Sequence, residues 1–172
     1  LSDRGVPMAR RDWMSSRPAP ITPLSARLIG YGGLVPFAGT GIVSWFLWPS
    51  ETADAVLQVQ LVYAALILSF LGGIRWGVAM THAGDFKRRV PDGLGTKLAL
   101  AALPALGGWL ALFTMREAAF LVLMLFFAAQ AISDIRMVNN DEAADWYRPL
   151  RLQLTFFVEL ALAASLVLTL SQ

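Results

Sequence analysis

The sequence predicts an all-α membrane protein, a polytopic helix bundle that crosses the bilayer about five times. Apolar residues make up 56% of the 172-residue chain and charged residues only 15%. Typical soluble chains have roughly 45–50% and about 25%. The apolar residues are gathered in long runs that carry almost no charge, and such runs need lipid around them. The fold class follows from this composition, from the length of the runs, and from the distribution of arginine and lysine between them.

Five runs have the length of a membrane-spanning helix. About 20 residues at about 1.5 Å each cross a hydrocarbon core of about 30 Å. Helices are expected because the backbone in lipid must pair its own polar groups, and barrel strands would alternate apolar and polar residues. Pro36 predicts a kink in the first run, and residues 1–27 form an arginine-rich arm ahead of the spans. The predicted spans, which with the chain end form a domain over residues 28–172, are about 28–48, 55–80, 97–114, 118–137 and 151–170.

The positive charges predict the direction of the chain. Cytoplasmic segments carry an excess of arginine and lysine. Twelve of these residues fall on one side of the predicted spans, Arg116 falls on the other, and Arg75 lies within a span. We therefore expect a cytoplasmic N-terminus and a periplasmic C-terminus, in the inner (plasma) membrane of a bacterium or, as the second choice, in the mitochondrial inner membrane. The twelve are Arg4, Arg10, Arg11, Arg17, Arg27, Lys87, Arg88, Arg89, Lys97, Arg136, Arg148 and Arg151.

Several classes of function are excluded by residue content. The chain has no cysteine and one histidine, which excludes disulfides, thiolate catalysis and metal centres built on several cysteines or histidines. Nucleotide-binding and hydrolase motifs are missing, and the basic segments are explained by topology rather than by nucleic acid. We expect no cofactor, no metal, no catalytic residue and no nucleic-acid partner.

The second predicted span contains a cluster of glycines. Gly73 and Gly77 form a G-x-x-x-G pattern, and Gly72 widens the groove that they leave on the helix. Small residues at this spacing let another helix backbone approach closely. The pattern has two interpretations: packing within the bundle, or a face for a partner or ligand.

Four of the polar residues within the predicted spans are candidate site residues. Arg75 and Asp134 come at similar depth near the cytoplasmic side, which suggests an ion pair, and Gln130 lies one helical turn from Asp134 on the same face. Glu159 falls near the middle of the fifth span. Ionisable groups at such depth are costly and often functional, although a hydrogen-bonded structural glutamate is the competing interpretation.

The segment before the fifth span combines aromatic and basic residues. Trp146, Tyr147, Arg148 and Arg151 suit the membrane interface, where they would anchor the helix. Binding of an anionic headgroup or of a partner is the alternative.

Three blocks of sequence resemble a known family. They are residues 30–37 (GYGGLVPF), residues 63–77 (YAALILSFLGGIRWG), and Trp146-Tyr147-Arg148 with Arg151 and Leu154-Thr155. They are similar to the DUF3429 family, which includes the transmembrane protein 69 group, over about residues 28–170. In that family the position of Arg75 is often histidine, so this chain departs from the pattern there. The resemblance implies a polytopic protein of bacterial inner membranes or mitochondria and implies no activity.

Two functions are compatible with these features. The first is a non-enzymatic accessory subunit, or assembly or stability factor, of a larger respiratory or photosynthetic membrane complex. The second is a transporter or a protein that binds lipid or quinone through Arg75, Asp134 and Glu159. In both cases we expect membrane lipids as partners, and in the first also a larger membrane complex.

Overall fold

The computed structural model describes residues 21–81 and 93–171. Residues 1–20 of the arginine-rich arm and the basic residues Lys87, Arg88 and Arg89 lie outside this part. Every regular element of the described part is an α-helix. The six helices are α1 (Leu24–Gly32), α2 (Val35–Leu47), α3 (Glu51–Thr81), α4 (Leu94–Ala111), α5 (Arg116–Asn139) and α6 (Tyr147–Leu170).

These helices form five segments that are long and apolar enough to cross a membrane, with α1 and α2 together making the first. The predicted fold class is therefore confirmed, and the chain is a helical membrane protein. The direction of the chain across the bilayer stays a prediction. The end of the bundle at which α3 and α5 end and α4 and α6 begin is called the basic end below. The predicted cytoplasmic charges that the structure describes lie near it: Arg27, Lys97, Arg136, Arg148 and Arg151.

The first span is broken rather than kinked. α1 ends at Gly32 and α2 begins at Val35, so the break precedes Pro36, where the kink was predicted. Pro36 lies in the first turn of α2, where its missing N–H costs no helical hydrogen bond. The hydroxyl of Tyr63 on α3 donates a hydrogen bond of 2.9 Å to the carbonyl oxygen of Gly33. A carbonyl freed by the break thus has a partner inside the bundle.

α3 is the longest helix, with 31 residues, and contacts α2, α4 and α5. Large apolar side chains fill the space between these helices and α6. They include Phe37, Leu61, Leu68, Phe120, Leu123, Phe127 and Leu162, all of them buried. Other large apolar side chains, such as Phe46, Phe113 and Leu125, are exposed on the outside. An apolar core inside an apolar exterior is the arrangement expected of a bundle in lipid.

Small residues bring α3 and α4 close together. A Cβ atom added to Gly72 would lie 2.5 Å from the carbonyl oxygen of Ala101, and one added to Gly108 would lie 3.1 Å from the Cα of Ala65. Backbone therefore meets backbone at two levels of this contact. Because lipid tails are as apolar as leucine, such close van der Waals packing is a main source of helix association in membranes.

We predict that Gly72→Ala destabilises the bundle, because the new methyl group must push the α4 backbone away. Overpacking of this kind costs about 1–3 kcal/mol and should lower the thermal unfolding midpoint in detergent. Gly73→Ala is the matched control. A Cβ at Gly73 meets nothing within 4 Å, so this variant should unfold at the wild-type temperature or slightly above it. Equal midpoints for the two variants would contradict the assignment of the α3–α4 contact.

Candidate functional site

A buried carboxylate on α5 organises the basic end of the bundle. Asp134 accepts a hydrogen bond of 2.6 Å from the Nε of Arg151 on α6, through its Oδ2 atom. Gln130 donates its side-chain amide to the other oxygen, Oδ1, at 3.0 Å. The hydroxyl of Tyr147 lies 3.3 Å from Oδ2 and donates the third hydrogen bond. Asp134 is 1% exposed and Arg151 4% exposed, so the pair is shielded from solvent and lipid alike.

The local fold brings these groups together. Asp134 lies five residues before the end of α5, and Arg151 lies four residues after the start of α6. The short connection over residues 140–146 reverses the chain, so the two helices run side by side and the two side chains meet at one depth. The resulting cluster is electrically balanced. It joins α5 to α6 through the contacts of Asp134 with Arg151 and Tyr147.

The predicted Arg75–Asp134 ion pair is wrong. Arg151 takes the place expected for Arg75, while the interaction expected of Gln130 is present. Arg75 attracts the carboxylate of Asp134 only from a longer distance. Its own side chain lines a polar cavity on α3, and the Nη1 atom is buried there without a hydrogen-bond partner among the described residues.

The other predicted site residues take separate positions. Tyr147 points inward to Asp134, whereas Arg148 is exposed and Trp146 is half-buried with its ring edge-to-face against Tyr147. Glu159 is half-buried, and its Oε1 atom has no hydrogen-bond partner within residues 21–81 and 93–171. The structure therefore joins Gln130, Asp134, Tyr147 and Arg151 in one cluster and leaves Glu159 outside it.

The three glycines of α3 divide between two surfaces. Gly72 is buried in the contact with α4, whereas Gly73 and Gly77 are exposed, and a Cβ atom on either would meet nothing within 4 Å. Ser69, one turn before Gly73, is also exposed. Ser69, Gly73 and Gly77 recur every four residues and so share one side of the helix. We call this surface the α3 glycine face.

An apolar cavity of about 340 Å³ lies beside the Asp134 cluster. Aliphatic and aromatic side chains from the first span, α3, α5 and α6 line most of it, and Arg151 lines one part. The Nη2 atom of Arg151 is buried and has no hydrogen-bond partner in the described part of the chain. The cavity therefore combines mostly apolar walls with Arg151 and with Tyr63, whose hydroxyl is bonded to Gly33. Its walls include Ile29, Leu34, Phe37, Ile67, Phe70 and Leu154.

A known protein family matches almost the entire helical part of the chain. Residues 22–167 match the family described as "Protein of unknown function (DUF3429)". The chain belongs to the DUF3429 family. The resemblance found in the sequence is thereby confirmed, and the matched region includes all five spans apart from the last residues of α6. No solved structure matches the chain.

Two curated members of the family are vertebrate proteins. Transmembrane protein 69 of Xenopus tropicalis is 35% identical over 151 residues, which cover 84% of this chain and 54% of the relative. Transmembrane protein 69 of Mus musculus is 26% identical over 148 residues, covering 86% of this chain and 57% of the relative. The DUF3429 chain thus spans about half the length of the curated relatives that it matches.

Two polar contacts of this DUF3429 protein have no counterpart in the sequence-based predictions. Gln60 on α3 is fully buried and donates a hydrogen bond of 3.1 Å to the carbonyl oxygen of Phe37 on α2. Asp54 and Arg116 form an ion pair at the end of the bundle opposite the basic end. Gln60 is a polar residue in the middle of an apolar run. The same feature made Asp134 a candidate, so Gln60 could have been selected on that ground too.

We predict that Asp134→Asn strongly destabilises the protein, because it leaves the charge of Arg151 buried without a counter-ion. Breaking a buried pair in this way costs about 3–5 kcal/mol. The double variant Asp134→Asn/Arg151→Gln removes both charges and should recover part of the loss. Thermal or denaturant unfolding in detergent measures both effects.

Asp54→Asn is the control for this experiment. It breaks the Asp54–Arg116 pair, whose side chains are 47% and 29% exposed, and such exposed pairs contribute about 0–1 kcal/mol. A double variant no more stable than Asp134→Asn, or an equal loss in Asp54→Asn, would contradict the special role of the buried pair.

Proposed function

We propose that this DUF3429 protein is a non-enzymatic accessory subunit, or an assembly or stability factor, of a larger membrane complex. A respiratory or photosynthetic complex of the bacterial inner membrane is the proposed setting. A single observation underlies the proposal: the α3 glycine face is exposed although the neighbouring Gly72 is fully used in packing.

The α3 glycine face has the geometry that a transmembrane helix needs for close docking. Without side chains at Gly73 and Gly77, a partner backbone can approach α3 until weak Cα–H hydrogen bonds and van der Waals contacts form. Gly72 makes the same kind of contact with α4 inside the bundle. The proposed occupant is therefore a single helix of another membrane subunit, packed on α3 as α4 packs on the other side.

The Asp134 cluster supports a non-enzymatic role. Its carboxylate is engaged by three hydrogen-bond donors and neutralised by Arg151. A general acid or base must instead be free to exchange a proton with substrate. The buried charges of Asp134 and Arg151 can therefore be explained by a structural role.

We predict that Gly73→Leu or Gly77→Leu abolishes association with the partner and leaves the fold intact. Each leucine side chain would project into open space on the isolated protein and would block close approach of a second helix. Association is measured by isolation from native membranes in mild detergent, followed by blue native electrophoresis and mass spectrometry of the larger species.

Gly39→Leu is the matched control for this substitution. Gly39 is an exposed glycine of α2 with nothing within 4 Å of its Cβ position, so this variant should retain the partner. The proposal fails if wild-type protein runs as a monomer with no companion, or if all three leucine variants lose the companion equally.

The apolar cavity beside Arg151 favours a second function, binding of a lipid or quinone. A molecule with an apolar tail and a carbonyl oxygen would match the walls and the buried Nη2 donor of Arg151. Arg151, rather than Arg75, Asp134 or Glu159, is the charged residue that lines this cavity. The carbonyl would satisfy an atom that the bundle itself leaves without a partner.

We predict that Ile67→Trp fills this cavity and removes any lipid or quinone that co-purifies with the wild type. Leu66→Trp provides the control, because Leu66 is the neighbouring residue and is exposed on the outside of α3. Solvent extraction followed by mass spectrometry measures the retained molecules. Equal retention by the two tryptophan variants would count against this second function.

A further inference from the structure

A second, polar cavity lies at the basic end, separate from the Asp134 cluster. Its volume is about 280 Å³. It is bounded by the last turns of α3 and α5, the first turns of α4, and the start of the segment that follows α5. Its polar lining residues are Arg75, Lys97, Ser133, Arg136, Asn140 and Glu142.

The charges of this cavity do not balance. Lys97 and Glu142 neutralise each other through an ion pair of 2.9 Å between Nζ and Oε1. Arg75 and Arg136 remain, and within the described residues neither forms an ion pair. Two guanidinium groups that line one cavity without an anion repel each other unless a negative group lies between them. The cavity is therefore complementary to an anion.

The buried nitrogen of Arg75 points to the same conclusion independently. Its Nη1 atom is shielded and has no hydrogen-bond partner in the described part of the chain. A buried donor on a charged group is costly when it is left unpaired. A phosphate bound in the cavity would match the planar guanidinium of Arg75, and a shift of this side chain would bring Nη1 within reach of a phosphate oxygen.

The depth of the cavity favours a lipid headgroup as the molecule that supplies the phosphate. Arg75 lies six residues, or about 9 Å, before the end of α3. Lys97 lies three residues after the start of α4, and Arg136 three residues before the end of α5. From helix length alone we expect these positions near the edge of the hydrocarbon, within reach of lipid phosphates.

The uncharged groups suit the same ligand. The hydroxyl of Ser133 and the side-chain amide of Asn140 line the cavity and can donate to phosphate oxygens. α4 begins at this end, so the positive end of its dipole also faces the ligand. On α4, Leu100 lines the cavity about one turn deeper than Lys97, where a glycerol backbone or acyl chain would continue.

We propose that this cavity is a specific site for the phosphate of an anionic phospholipid, held between the guanidinium groups of Arg75 and Arg136. Ser133 and Asn140 donate the additional hydrogen bonds, and the Lys97–Glu142 pair forms one wall. The site is independent of the α3 glycine face and of the cavity beside Arg151.

The test is lipid binding measured by native mass spectrometry. Delipidated protein in detergent is exposed to equal amounts of phosphatidylglycerol and phosphatidylcholine. Both lipids contain a phosphate, but only the first carries a net negative charge. Wild type should retain phosphatidylglycerol in preference. Arg75→Gln and Arg136→Gln should each weaken this retention roughly fivefold, since each basic residue near an anionic surface contributes about that factor.

Arg148→Gln is the matched control. Arg148 is an exposed arginine at the same end of the bundle and does not line the cavity. It loses the same charge and should keep the preference for phosphatidylglycerol. Arg75→Lys keeps the charge without the planar fork and should retain the lipid partly. Because Arg136 is exposed, Arg136→Gln still tests the site if Arg75→Gln fails to fold.

Three outcomes would overturn the proposal. The first is equal retention of the two lipids by wild type. The second is a loss in Arg148→Gln as large as in Arg136→Gln, which would show general attraction to the surface instead of a site. The third is displacement of phosphatidylglycerol by excess inorganic phosphate, which would assign the cavity to a soluble anion.

Discussion

The arrangement of the basic end depends on one requirement: an ionised carboxylate that is fully buried in the bundle needs a counter-charge within the bundle itself. Asp134 meets this requirement through Arg151, Gln130 and Tyr147. The need to place Arg151 beside it fixes how α5 and α6 pair. Once that pair is formed, one guanidinium nitrogen of Arg151 has no hydrogen-bond partner among the described residues. Arg75 forms no ion pair with any residue that the structure describes, and it lines the polar cavity instead.

α3 is the helix that contacts α2, α4 and α5. One of its sides receives α4 at Gly72, another carries Gln60 and Tyr63 toward the first span, and a third carries the exposed Gly73 and Gly77. At its glycines the helix has no side chain to keep neighbours at a distance. Its close contacts with α4 stabilise the fold, and its exposed glycines offer the same type of contact to a helix from outside. Gly72 and Gly73 are adjacent in sequence but point to different sides of α3, so one packs inside the bundle and the other is exposed.

Much of this molecule could be predicted from the sequence because depth in a membrane follows directly from position along a helix. The five spans, the position of Asp134 within the fourth, and the neighbourhood of Gln130 all follow from counting residues. The rotation of a helix about its axis does not. Arg75 and Arg151 lie at similar depths, so the choice between them as the partner of Asp134 depends on which way α3 and α6 face. The same limit applied to Gly72 and Gly73, which point about 100° apart on one helix. The break before Pro36 was also beyond prediction, because it depends on Tyr63, a residue thirty positions away that accommodates the carbonyl of Gly33.

The length of α3 has a consequence for how the protein sits in its membrane. Twenty-one residues separate Asp54 near its start from Arg75 near its end. At about 1.5 Å each this is about 31 Å, close to the thickness of the hydrocarbon core. The uncharged part of α3 thus matches the bilayer, and a charge marks each boundary. A thinner membrane would force α3 to tilt or would draw one of these charges into the acyl chains. We therefore expect α3 to influence the depth of the bundle through hydrophobic matching, at a modest cost per ångström of mismatch.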